Sequence, residues 1–163
     1  MHELKSDLGT GPELYRALTR ELAALLEGER DLIANAANCA ALLYHSLNDV
    51  NWVGFYFLRD GELVVGPFQG KPACVRIALG KGVCGTAARE RRTIVVANVD
   101  EFPGHIACDS ASRSEVVVPV VHGGDLIGVL DLDSPKLARF DAEDARALEA
   151  IARLYVQASD IGS

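Results

Sequence analysis

Cysteines and carboxylates are the side chains in this sequence best equipped for chemistry, and the cysteines limit that chemistry to thiol redox, nucleophilic attack or metal binding. They are Cys39, Cys74, Cys84 and Cys108. A chain of 163 residues does not need disulfide staples, so in a reducing compartment each is either a buried hydrophobe or chemically employed. No gap between them has the spacing of about two to four residues that marks a zinc knuckle. A metal site would have to gather ligands from scattered elements, with His105 or an Asp completing the set.

A cysteine that attacks must be a reachable thiolate, which favours a loop over a packed helix. Cys108, in the run FPGHIACDSAS, meets that condition best. His105, three residues earlier, could lower the thiol pKa as an imidazolium neighbour, although loop spacing guarantees no contact. Cys84 sits in GKGVCGTAA, a glycine turn entering a helix whose positive end would favour a thiolate. The same run reads equally as a small-residue turn packed on a sheet. Cys39 lies in the apolar row of a helix and reads as an inert core thiol.

The acids come next. Asp131 and Asp133 close the run GVLDLDSP, and residues two apart on a strand share a face. Two carboxylates on an otherwise apolar face repel unless a cation or a shared proton intervenes. If buried, a protonated member could donate to a sulfoxide or oxyanion oxygen, and an ionised one could hold an ammonium group. If exposed, they mark only a strand end fraying into a turn. Glu115 opens a strand directly after the Cys108 loop.

The elements that must position these groups follow from periodicity. Leu14, Leu18, Leu22, Leu25 and Leu26 form a helical stripe that Thr10 could cap. A second helix is predicted over about Asp31 to Leu47. Val50 to Leu58 reads as a strand, and Asp60-Gly61 as the hairpin turn returning Glu62 to Val65 antiparallel. Further strands are expected at Ala73 to Ala78, with Cys74 on it, and at Thr93 to Val96, with a short helix between them. Asn98 to Arg113 is a long loop, and loops of that length tend to be functional. Glu115 to Val121 and Leu126 to Asp131 form a hairpin through His122-Gly123-Gly124-Asp125, and a last helix starts near Asp141. This order predicts an α+β fold, a central antiparallel sheet with helices on one face.

Bulk properties narrow the function. A formal net charge of -7, with no Lys/Arg cluster, disfavours nucleic acid as a partner. No apolar run reaches a membrane span, and the start MHELKSD lacks the order of a signal peptide, so a cytoplasmic chain is expected. No linker or repeat divides it, so one domain over residues 1–163, with its core at about 11–158, is expected.

Together, NWVGFY, GPFQGKPACVRI, GKGVCGTAA, FPGHIACDSASRSEVVVP and GVLDLDSP resemble the GAF-domain free methionine-(R)-sulfoxide reductases over nearly the whole chain. The resemblance implies a single GAF domain, with terminal helices on one face of the sheet and substrate-enclosing loops on the other. By motif, Cys108 corresponds to the attacking cysteine, Cys74 to the resolving one, and Cys84 to a third, auxiliary or substrate-proximal cysteine. Glu115, Asp131 and Asp133 fall on the acidic pocket, and Trp52 and Tyr56 on its aromatic wall. The resemblance further implies a sulfenic acid on Cys108, a disulfide with Cys74, thioredoxin as external reductant with no bound cofactor or metal, and a homodimer. Two other readings stand beside it: a GAF small-molecule sensor without catalysis, because a fold does not fix a function, and a cysteine metal site.

Overall fold

Turns with two consecutive positive φ angles set the registers of two hairpins. The computed structural model describes residues 11–105 and 111–162. Strand β1 (Trp52–Arg59) joins β2 (Glu62–Gly70) through Asp60 at φ 50° and Gly61 at φ 82°, with Arg59 paired to Glu62. Strand β5 (Ser114–His122) joins β6 (Asp125–Ser134) through Gly123 at φ 57° and Gly124 at φ 86°. Both match the turn whose backbone twist fits right-handed strands. With β3 (Arg76–Ala78) and β4 (Ile94–Val96), the strands form one antiparallel sheet in the order β3-β2-β1-β6-β5-β4.

Alternation then sorts the side chains. Val53, Phe55 and Phe57 of β1, Val116, Val118 and Val120 of β5, and Leu130 and Leu132 of β6 enter one core. Helices α2 (Leu32–Ser46) and α4 (Ala142–Ala158) cover that face, and α1 (Gly11–Leu26) packs on both of them. Leu18, Leu22 and Leu26 of the expected stripe are buried in this core, so α1 spends its apolar face within the chain. The opposite face carries Trp52, Tyr56, Val117 and Val129 against Val83, Ala87 and Ala88 of α3 (Gly82–Glu90).

Caps hold the helical layer in place. Asp31 accepts a bond from Ala34 N at the start of α2, and Asp141 with Asp144 forms a capping box at α4. Such caps are worth about 1 kcal/mol each. Asp144 also accepts a 2.6 Å bond from Tyr15 Oη, which ties α1 to the start of α4. Tyr155, fully buried against Phe55, donates to Leu32 O at 2.8 Å. No described helix is long and apolar enough to cross a membrane. The Thr10 cap lies outside the described residues.

Three expectations need correction. The strand expected at Ala73 to Ala78 begins only at Arg76, so Cys74 lies in the segment before it and not on a strand. Only Glu62, Leu63 and Val64 of β2 pair with β3, and residues 71–75 leave the ladder after a last bond from Val65 N to Val75 O. The return strand β2 runs past Val65 to Gly70, with a register shift opposite Phe55. Strand β6 does not end at Asp131: Asp133 and Ser134 still pair with Glu115 and Ser114. The long loop opens with a 3-10 turn at Val99–Glu101, capped by Asn98.

Candidate active site

Register alone brings the acids together. Asp133 is paired with Trp52 on one side and Glu115 on the other, and Asp131 lies between Gly54 and Val117. Three strands therefore present Trp52, Asp133 and Glu115 in one row, with Asp131 two residues along, on the face away from the helical core. Glu115 is 7% exposed and Asp131 5%, which rules out a frayed strand end. Asp133 is half-buried.

The aromatic wall depends on a glycine. A Cβ on Gly54 would stand 2.3 Å from Phe68 Cβ and 2.6 Å from the Trp52 ring, so only glycine lets Trp52 lie across β1. Trp52 stacks between Phe68, with centroids 5.2 Å apart, and Tyr56, at 5.9 Å. Its Nε1 donates to Lys71 O at 3.0 Å, and Tyr56 Oη donates to Cys74 O at 3.2 Å. Both rings thus form the wall and also pin the backbone that carries Cys74. A second close approach seats Cys84. A Cβ on Gly85 would meet Ala78 O at 2.4 Å, so α3 can press its first turn onto the end of β3 and point Cys84 at the acids.

Trp52, Tyr56, Ala73, Cys84, His105, Ser112, Glu115, Asp131 and Asp133 line one cavity, along with Lys71 and Pro72 at its rim. The spacing of the sequence offered no signal for Lys71 and Pro72, because long-range bonds such as those from Trp52 and Tyr56 hold that segment over the sheet. Ser112 was likewise missed; its Oγ accepts from Asn51 Nδ2 at 3.3 Å. Cys74 is half-buried beside the cavity and its sulfur is disulfide-bonded, whereas Cys39 and Cys84 carry free thiols. Cys39 is walled into the helical core, and burial pushes its pKa up to about 12. Cys108 lies outside the described residues.

The electrostatics favour protons over charges. Burial pushes Glu115 well above the usual carboxylate range, and the neighbouring Asp131 and Asp133 add to the rise. Burial also raises Asp131, but the nearby Glu115, Cys84 and Asp133 as possible donors, and then His105, pull the other way. Burial therefore favours the protonated form of both acids, with the opposing contributions acting on Asp131. Burial, followed by the charges of Asp131, Glu115 and Asp133, raises the Cys84 thiol well above its ordinary value. Of the two readings of Cys84, the packed turn fits its burial, and burial among carboxylates outweighs the pull of the α3 terminus toward a thiolate. Tyr56 is held protonated mainly by burial and then by Asp131. His105 Nε2 faces Glu115 Oε1 at 4.0 Å.

Such an arrangement can hold a cationic group, donate a proton to an oxygen and wall off an apolar end. It can also offer donors to a metal: the Cys84 sulfur and one oxygen each from Glu115 and Asp131 lie within 4.8 Å of one another.

Comparison with known proteins agrees with the fold. The GAF domain family matches residues 11–158. Protein YtsP of Bacillus subtilis (strain 168) is 50% identical over 97% of this chain and 98% of its own length. The free methionine-R-sulfoxide reductase of Escherichia coli (strain K12) is 51% identical over 85% of this chain and 84% of its own. The X-ray structure of free methionine-R-sulfoxide reductase from Neisseria meningitidis in complex with its substrate is 44% identical, with a TM-score of 0.93, covering 97% of this chain and 95% of that one. The chain belongs to the GAF-domain family, in the group that contains the free methionine-R-sulfoxide reductases.

Proposed function

We propose that this protein reduces free methionine-(R)-sulfoxide to methionine by thiol chemistry. The observation that carries the reading is the cavity itself, with Trp52 and Tyr56 as an apolar wall facing Glu115, Asp131 and Asp133. The wall suits a methylthio group, and a carboxylate among these acids that ionises on binding suits the free ammonium that a peptide-bound methionine lacks.

In this reading the Cys108 thiolate attacks the sulfoxide sulfur. Oxygen passes from the substrate to the cysteine, the substrate sulfur is reduced to a thioether, and Cys108 is oxidised to a sulfenic acid. Glu115 supplies a proton to the sulfoxide oxygen, a role favoured by its raised pKa. The Cys74 thiol then condenses with the sulfenic acid, releasing water and forming a disulfide. Thioredoxin, as an external dithiol, restores both thiols by exchange. Support for Cys108 comes from its chain neighbours His105 and Ser112, which both line the cavity. Support for Cys74 comes from its place next to Ala73 at the rim and from its bonded sulfur. Cys84, a neutral thiol deep in the cavity, serves by hydrogen bonding to Asp131 and not as a nucleophile.

A thioredoxin-coupled assay comparing free R and S sulfoxides with a peptide containing the R form tests this. Turnover of the free R form alone is expected. Cys108→Ser should abolish it, and Cys74→Ser should release one methionine per chain and then stop. Full multiple turnover by Cys108→Ser would overturn the mechanism. Tight binding of the sulfoxide with no turnover by the wild type would make the protein a sensor.

A further inference from the structure

Cys84, Glu115 and Asp131 come from α3, β5 and β6, yet one donor atom of each lies within 4.8 Å of the other two, and all three residues are buried. A four-coordinate Zn²⁺ holds sulfur at about 2.3 Å and carboxylate oxygen at about 2.0–2.2 Å, which spaces its ligand atoms roughly 3–4 Å apart. Small rotamer shifts would close the cluster to that size.

One of the three carries a further sign that a ligand belongs there. Asp131 Oδ1 is buried in the cavity, in a residue 5% exposed, and has no hydrogen-bond partner among the described residues. A buried carboxylate oxygen left this way is costly unless a ligand satisfies it. His105 Nε2, 4.0 Å from Glu115 Oε1, stands where a fourth ligand could come from.

We propose that Cys84, Glu115 and Asp131 form a binding site for a thiophilic divalent cation of the Zn²⁺ and Co²⁺ class, and that cation and sulfoxide exclude each other because both need the same acids. The exclusion rests on the function proposed above; the metal site does not. The donor set selects the cation: one sulfur, two oxygens and a nearby imidazole suit Zn²⁺ or Co²⁺, whereas Mg²⁺ and Ca²⁺ require a shell of oxygens. On binding, a sulfur–metal bond replaces the Cys84 S–H bond and an oxygen–metal bond replaces the Glu115 O–H bond, and both protons leave to solvent. No electron is transferred, so the cysteine stays reduced and the effect is reversible by chelation.

Cobalt(II) is the probe, because thiolate ligation gives a sulfur-to-cobalt charge-transfer absorption that oxygen ligation lacks. Titrated without oxygen into the reduced full chain, Co²⁺ should produce that band at one equivalent, and Zn²⁺ should bleach it. The band should vanish in Cys84→Ala and persist in the Cys74→Ser/Cys108→Ser double variant, whose remaining thiols are Cys39 and Cys84. Glu115→Gln should weaken cobalt binding about tenfold or more, a loss that even outer partners of metal ligands cause. Absence of the band in the wild type, or its loss in the double variant, would overturn the site; the double variant decides even if Cys84→Ala does not fold. Free methionine-(R)-sulfoxide should displace the cobalt. A band that ignores the sulfoxide would leave the metal site standing and remove the exclusion; absence of turnover in the metal-free protein would instead strike the function proposed above.

Discussion

Replacing Gly54 with alanine separates the role of the aromatic wall from that of the fold. The added Cβ would lie 2.3 Å from Phe68 Cβ and 2.6 and 2.9 Å from two atoms of the Trp52 ring. Carbon atoms in contact prefer about 3.5–4.0 Å, so the rings must retreat by roughly 1 Å. Overpacking of this kind costs about 1–3 kcal/mol, and for a chain of this size that lowers Tm by roughly 2–12 °C. Retreat of Trp52 also breaks its bond to Lys71 O, one of the links that hold the cavity rim. A net hydrogen bond is worth about 0.5–1.5 kcal/mol, which raises KM about twofold to twelvefold. Gly66→Ala is the matched control. Its Cβ would meet the Phe57 ring at 2.7 and 2.8 Å, a slightly milder crowding on the helical face of the sheet, away from the cavity. Thermal melts and steady-state thioredoxin-coupled kinetics on both variants make the comparison. Similar losses of Tm with a raised KM only in Gly54→Ala are expected. A normal KM in Gly54→Ala, or an equal rise in Gly66→Ala, would refute the link between Trp52 and the rim.

Two further predictions follow from the buried acids and thiols. Glu115 and Asp131 have native pKa values above those of the unfolded chain, so the native state binds protons more tightly. Their contribution to stability is complete below the ordinary carboxylate pKa of about 4.3 and is lost as pH rises through the raised native values. Urea midpoints of the wild type should therefore fall between the ordinary carboxylate range and neutral pH, and Glu115→Gln should flatten that slope while lowering kcat/KM; an unchanged slope would contradict the burial argument. Cys39 and Cys84 should resist iodoacetamide at neutral pH in the native protein and react on unfolding, as read by mass spectrometry, because burial keeps both thiols protonated. Rapid native labelling of Cys39 would show that the helical core opens.

What the sequence determined by itself is local. The two positive-φ turns, the Asp31 and Asp141 caps and the alternation along β1, β5 and β6 follow from residue types within a few positions, and so does the shared face of Asp131 and Asp133. The inert reading of Cys39 came from the same helical row that now encloses it. Motif resemblance named Glu115, Cys74 and Cys84 as site residues, but no spacing rule could place them. Glu115 meets Asp133 only through the β5–β6 register, and Cys84 meets Asp131 only because Gly85 lets α3 press onto β3. The start of β3 only after Cys74 and the raised pKa of the Cys84 thiol are likewise tertiary outcomes. The physical reason is that dihedral preference and side-chain period act between near neighbours. Register, desolvation and charge repulsion instead act between residues that only the folded chain brings within a few ångströms.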